Sequence, residues 1–133
     1  MAKRRVEPTW LTRVVVDAIH DEQLREHGGL RGIRDENAIE SALARSRQKW
    51  HYGERIDVAL LAAAYAFALV THHPYRDGNK RIGFLAMATF LEMHGQDLTA
   101  TDAEVVAEIW ALAAGQVSED ALAEWVRRHS TKR

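Results

Sequence analysis

Ten consecutive positions, "HHPYRDGNKR" at residues 72–81, hold two histidines, a carboxylate, a carboxamide and three basic side chains. These types in this order can bind an anion and move a proton. Neutral imidazole has an ordinary pKa near 6.5, so His73 can take a proton from a hydroxyl at neutral pH, a role that typically contributes about 10²- to 10⁴-fold in rate. Pro74 cannot continue a helix that arrives from its N-terminal side, and Gly78 can make a tight or left-handed turn before the next helix begins. Gly78, Asn79, Lys80 and Arg81 then present unpaired backbone N–H groups at a helix N-terminus, where fixed dipoles favour an anion. Arginine can grip two phosphate oxygens and lysine serves as a mobile point charge. Asp77 can hold Mg2+, which prefers one or two carboxylates plus substrate phosphates. A base, a metal carboxylate and an anion nest describe transfer of a phosphate-containing group to a hydroxyl.

A structural reading fits the same residues. In it His72 and His73 cap the carbonyls that end one helix, while Asp77 pairs with Arg76, Lys80 or Arg81. Metal ligation by the two histidines is disfavoured, because neighbours on a helix point about 100° apart. The chain contains neither G-x-x-x-x-G-K-[ST] nor G-x-G-x-x-G, and "YRDGN" lacks the H-R-D-x-x-x-x-N spacing of protein kinases.

The elements around this stretch are helical. Leu11, Val14, Val15, Ala18, Ile19 and Leu24 recur at helical spacing before the stop "HGG" at 27–29. Asp35 caps a short second helix with Ala38, Ile39, Ala42 and Leu43 on one face. Residues 46–55, "SRQKWHYGER", carry no sustained period and read as a loop or flap. Asp57 caps a third helix to about His72, apolar nearly all round, whose alanines let neighbours approach closely. A fourth runs from about Asn79 to His94 and stops at Gly95. "TDAE" at 101–104 has the form of a capping box and opens a fifth helix, and Ser118 opens a sixth that fades into "RRHSTKR". No paired strands are evident. The expected fold is an all-α bundle of about six helices, one domain over residues 1–133 with a core at roughly 9–129, and the chemistry lies on a loop between two central helices.

Composition narrows the function. A length of 133 residues with 47% hydrophobic content suits one core. Eighteen basic against nineteen acidic residues, a formal charge of -1, argue against coating nucleic acid or an anionic membrane, so the basic ends "KRR" and "RRHSTKR" read as solvated tails. The lack of cysteine excludes disulfides and a thiol nucleophile. The N-terminus has no apolar segment of a signal peptide, and residues 58–70 are too short to span a bilayer. A soluble, cytoplasmic protein is expected.

The run His73-Pro74-Tyr75-Arg76-Asp77-Gly78-Asn79-Lys80-Arg81 resembles the H-P-F-x-[D/E]-G-N-[G/K]-R motif of the Fic/Doc (Fido) family. "GGLRGIRDENAIESALARS" upstream and "FLEMHGQDL" downstream are similar to its death-on-curing branch. The resemblance covers roughly residues 28–98 and implies the Fido fold. It implies His73 as general base, Asp77 as Mg2+ ligand, and Gly78, Asn79, Lys80 and Arg81 as the ATP phosphate site. Tyr75 replaces the usual Phe as a packing anchor whose hydroxyl needs an outlet. Lys49, Trp50, His51, Tyr52 and Gly53 correspond to the flap that, in the family, pairs with an extended stretch of the target; an aromatic lid over the core is the equal alternative for Trp50, His51 and Tyr52. Trp110 and Trp125 are expected in the core or lining a groove.

Adenylylating members carry G-N-G-R and a second arginine three residues later, where this chain has Lys80 and Phe84. Lys80 is the death-on-curing pattern, which implies inverted ATP, transfer of the γ-phosphate to a threonine of elongation factor Tu, and arrest of translation. The self-inhibitory pattern [S/T]-x-x-x-E-[G/N] is absent, which implies restraint by a separate antitoxin. Nucleotidyl transfer by the same residues is the first alternative, and a catalytically silent helical binding module is the second.

Overall fold

The computed structural model describes residues 6–133. Lys3, Arg4 and Arg5 of the basic N-terminus lie outside the described residues.

Helix starts follow the capping chemistry. Thr12, Asp35, Asp57, Thr101 and Ser118 each accept a backbone N–H from the first turn of a helix. They open α1 (Arg13–His27), α2 (Glu36–Tyr52), α3 (Val58–His72), α5 (Asp102–Ala113) and α6 (Glu119–Arg128). Thr101 and Glu104 form both halves of the capping box. The remaining helix, α4 (Asn79–Met93), starts at Gly78 with no side-chain cap.

The core forms around α3. Ten of its fifteen residues are buried, from Ala59 to Val70, so it presents no polar face to solvent. On α4, Ile82, Ala86, Met87, Phe90 and Leu91 are buried against it. Ile82, Met87, Phe90 and Leu91 each contribute about 1.5–3 kcal/mol relative to exposure. The two helices meet closely at Gly83, where a Cβ would fall 2.4 Å from Val70 Cγ2. Leu122, Ala123, Trp125 and Val126 of α6 close the core on another side of α3, burying the Trp125 ring as expected. Buried polar groups are paired: Ser46 Oγ donates to Leu61 O at 2.7 Å and the Leu11 amide donates to Tyr65 Oη at 3.1 Å. The all-α expectation holds, with six helices in this order among the described residues.

Three local expectations fail. Residues 46–52 are not a loop, because α2 continues to Tyr52; Ser46 turns inward, and Arg45 and Lys49 reach Glu119 of α6 at 2.7 and 3.3 Å. The C-terminal "RRHSTKR" does not fade. Arg127 donates to both oxygens of Asp57 at 2.6 and 3.1 Å, and β2 (Ser130–Lys132) pairs antiparallel with β1 (Gln96–Leu98). The fold therefore contains a small two-stranded sheet, which ties the chain end to the turn after α4.

Candidate active site

Residues 73–78 link the C-terminus of α3 to the N-terminus of α4, and the sequence dictates their shape. Pro74 ends α3, leaving His73 at φ 48°, ψ 57°, the single non-glycine residue at positive φ among the described residues. Gly78 sits at φ 75°, a left-handed conformation that favours glycine. Within this turn Asn79 is buried, and its carboxamide clamps Tyr75 from both sides, accepting from Tyr75 N at 3.0 Å and donating to Tyr75 O at 2.9 Å.

Tyr75 is the anchor beneath the loop, 2% exposed. Its hydroxyl finds its outlet in Asp17 Oδ1, to which it donates at 2.6 Å, and its ring stacks on His20 with centroids 3.7 Å apart. Burial, reinforced by the Asp17 bond, pushes the Tyr75 hydroxyl far above its ordinary pKa, so it stays protonated as a donor. Asp17 is itself held by Arg13 Nε at 2.9 Å.

Asp77 projects from the exposed rim. Its Oδ2 accepts from Leu30 N at 3.1 Å and its Oδ1 from Gly78 N at 2.9 Å. These two backbone bonds hold its pKa below the ordinary 3.8, and the charge of Arg81 acts in the same direction. Among the described residues it makes no salt bridge, so the pairing with Arg76, Lys80 or Arg81 is not what forms. The amides of Asn79, Lys80 and Arg81 open α4 without acceptors among the described residues, the first intrahelical bond running from Ile82 N to Gly78 O. The Gly78 amide, expected to be open with them, is taken by Asp77. Lys80 Nζ lies 4.9 Å from the centroid of the Trp110 ring, which is 53% exposed, and Arg81 is exposed. The imidazole of His73 is also exposed; the helix-ending carbonyls that it was a candidate to cap are bonded by Arg34 instead.

The sequence profile of the Fic/DOC family matches residues 10–91. The chain belongs to the Fic/DOC family. It is also 30% identical, over 112 residues, to the protein kinase doc of Escherichia phage P1, an alignment covering 84% of this chain and 87% of that protein.

In this Fic/DOC protein His73, Asp77 and Gly78 on the link and Asn79, Lys80 and Arg81 in the first turn of α4 come together, whereas Lys49, Trp50, His51, Tyr52 and Gly53 do not join them. Lys49 to Tyr52 form the last turn of α2 and Gly53 caps it. Since α2 runs antiparallel to α3, they lie beside the start of α3, about 20 Å from His73 at 1.5 Å per residue. Trp50 packs edge-on to Trp10 against the core, while Tyr52 is 87% exposed.

The segment that does flank the Fic/DOC motif is 28–35. Ile33 forms an isolated antiparallel bridge with Tyr75, the Arg76 amide donates to Gly32 O at 3.1 Å, and the Arg34 and Asp35 amides donate to Pro74 O at 2.8 and 3.1 Å. Gly29 sits at φ 129°, a conformation that strains any residue with a Cβ, and a Cβ there would also fall 2.8 Å from Asp77 Oδ2, so this approach favours glycine. Arg34, Leu30 and His20 were missed as site residues. The available signal was the run "GGLRGIRD", three glycines before an N-cap, which implies backbone passing close to something.

Proposed function

We propose that this chain is a protein-modifying transferase of the death-on-curing type, which moves the γ-phosphoryl group of ATP to a threonine hydroxyl of a target protein, elongation factor Tu being the first candidate. The observation that carries the reading is the convergence, on the link and the first turn of α4, of an exposed imidazole, an ionised carboxylate and a run of open helix-starting amides. In this reading the threonine oxygen bonds to the γ-phosphorus and its proton passes to His73. The bond from that phosphorus to the β–γ bridging oxygen breaks, and ADP leaves with the electron pair.

The residues fit Mg2+. Asp77 is ionised and exposed, and each oxygen keeps acceptor capacity beyond its one backbone donor. Among the described residues no group of three histidine or acidic side chains could hold a metal by itself, so the ion would lean on phosphate and water, as Mg2+ prefers. When bound, Mg2+ supplies neutralisation of phosphate charge. The open amides of Asn79, Lys80 and Arg81 bind phosphate oxygens, and Lys80 and Arg81 add formal charge.

Lys80 in the glycine slot and the phage protein kinase doc as a relative support phosphoryl over adenylyl transfer. Residues 28–34 are the target-docking segment in this reading, since they flank the motif and 49–53 do not. An antitoxin acting in trans restrains the toxin, and the exposed side chains Val106 and Trp110 of α5 offer it an apolar seat. No helix among the described residues is long and apolar enough to cross a membrane.

The test is the intact mass of purified elongation factor Tu after incubation with this protein, ATP and Mg2+, with His73→Ala as control. The reading expects one added phosphoryl group, lost in the control. An added AMP would retain His73 and Asp77 but reverse the nucleotide, and unchanged mass with every protein of a bacterial lysate would remove the transferase reading.

A further inference from the structure

We propose that Arg34, outside the motif and 39 residues before His73, is the positioning residue that sets the direction of the His73 imidazole. The inference rests on the reading of His73 as the base. His73 occupies the left-handed region, which its Cβ makes unfavourable, so something must hold it there. The last carbonyls of α3 are without intrahelical donors, as at any helix end. Arg34 takes two of them with one guanidinium: Nε donates to His73 O and Nη2 to His72 O, each at 2.7 Å.

These oxygens belong to the two peptide planes that meet at the His73 Cα. The relative orientation of those planes is φ and ψ of His73, and that pair sets where Cβ points. A planar, rigid fork bonded to both oxygens therefore fixes the backbone of the base directly. Lysine has one rotatable point of charge and cannot do this. The next carbonyl, of Pro74, is held by the backbone amides of Arg34 and Asp35, so the same short segment captures three successive oxygens. Arg34 is itself well anchored, because it precedes Asp35, whose Oδ1 accepts from Ala38 N at 3.1 Å to start α2. It is exposed, so its replacement opens no cavity.

The test compares the full chain with Arg34→Ala and Arg34→Lys. Backbone NMR of His73, through its intraresidue HN–Hα distance and Cα shift, reports positive φ without reference to activity. Arg34→Ala is expected to move His73 out of positive φ and to lower kcat by about 10- to 100-fold. Nucleotide affinity by calorimetry changes by less than about threefold, the pattern of a misdirected base rather than a lost binding contact. Arg34→Lys restores neither. Retention of positive φ in Arg34→Ala, full recovery in Arg34→Lys, or loss of affinity with kcat intact would each overturn the proposal. If the parent chain transfers nothing to any target, the functional reading fails on its own, while the NMR comparison still decides what Arg34 does.

Discussion

His20 donates from Nε2 to the main-chain carbonyl of Asp77 at 2.8 Å, so a residue of the first helix holds the backbone of the candidate metal ligand. The acceptor is a carbonyl, so this nitrogen carries the hydrogen. The ring is 5% exposed and lies flat on Tyr75, and it also limits the space beside Gly78. His20→Phe keeps an aromatic stack and removes the donor. It is expected to cost about 1–3 kcal/mol through the carbonyl left without its partner, and to raise the Mg2+ concentration needed for nucleotide binding. Denaturant unfolding and Mg2+ titration by calorimetry measure the two effects. Equal Mg2+ dependence in variant and parent would show that Asp77 needs no support from α1.

Tyr75→Phe restores the residue most often found in the motif and asks what the hydroxyl does here. Asp17 keeps Arg13 Nε at 2.9 Å, so its charge is not left unpaired. The expected loss is therefore that of one buried hydrogen bond, about 1 kcal/mol, with transfer activity unchanged. A urea midpoint shift without a change in slope would agree. A large fall in kcat would mean that the hydroxyl contributes to the chemistry.

How much could be read in advance depended on how local each cause was. Thr101 and Ser118 cap within their own turns, so α5 and α6 start where their side chains say. The end of α2 escaped because the reasons for it are distant: Arg45 and Lys49 pair with Glu119, 74 and 70 residues away, and neither leaves an apolar period behind. Strands of three residues are likewise too short to show alternation, and β1 finds β2 only through tertiary proximity. The motif was legible because it is contiguous. Its supports were not, since His20 acts across 57 residues and Arg34 across 39, each through a backbone oxygen that any residue type would have offered.

Asp77 sets an acid limit on the loop. The backbone donors of Leu30 and Gly78 depress its folded pKa below the ordinary 3.8. Its contribution to stability is thus fully present above the unfolded value and is lost as pH falls through the lower, folded one. Thermal melts of the parent and Asp77→Asn should differ by a constant amount from neutral pH down to about pH 5 and converge below about pH 4. Asparagine can accept one of the two amides but must turn its NH2 against the other. A difference that grew as pH fell would contradict the direction of the shift.

Lys80 lies on Trp110 with its ammonium 4.9 Å from the ring centroid, and among the described residues it makes no salt bridge. An exposed contact of this kind is worth only about 0.5–1 kcal/mol, whereas a charge-assisted bond to phosphate is worth about 1.5–3 kcal/mol. A nucleotide at the amides of α4 can therefore draw the lysine off the indole. Lys80→Met keeps the apolar stem and removes the charge. It should weaken ATP binding by about 10- to 100-fold, the same energy expressed as a ratio. In the parent, ATP should alter the emission of Trp110, identified by its loss in Trp110→Phe, and in Lys80→Met that change should be absent at saturating ATP. If the variant binds ATP as tightly as the parent, Lys80 stays on Trp110 throughout, and the phosphates are held by the helix amides and Arg81 alone.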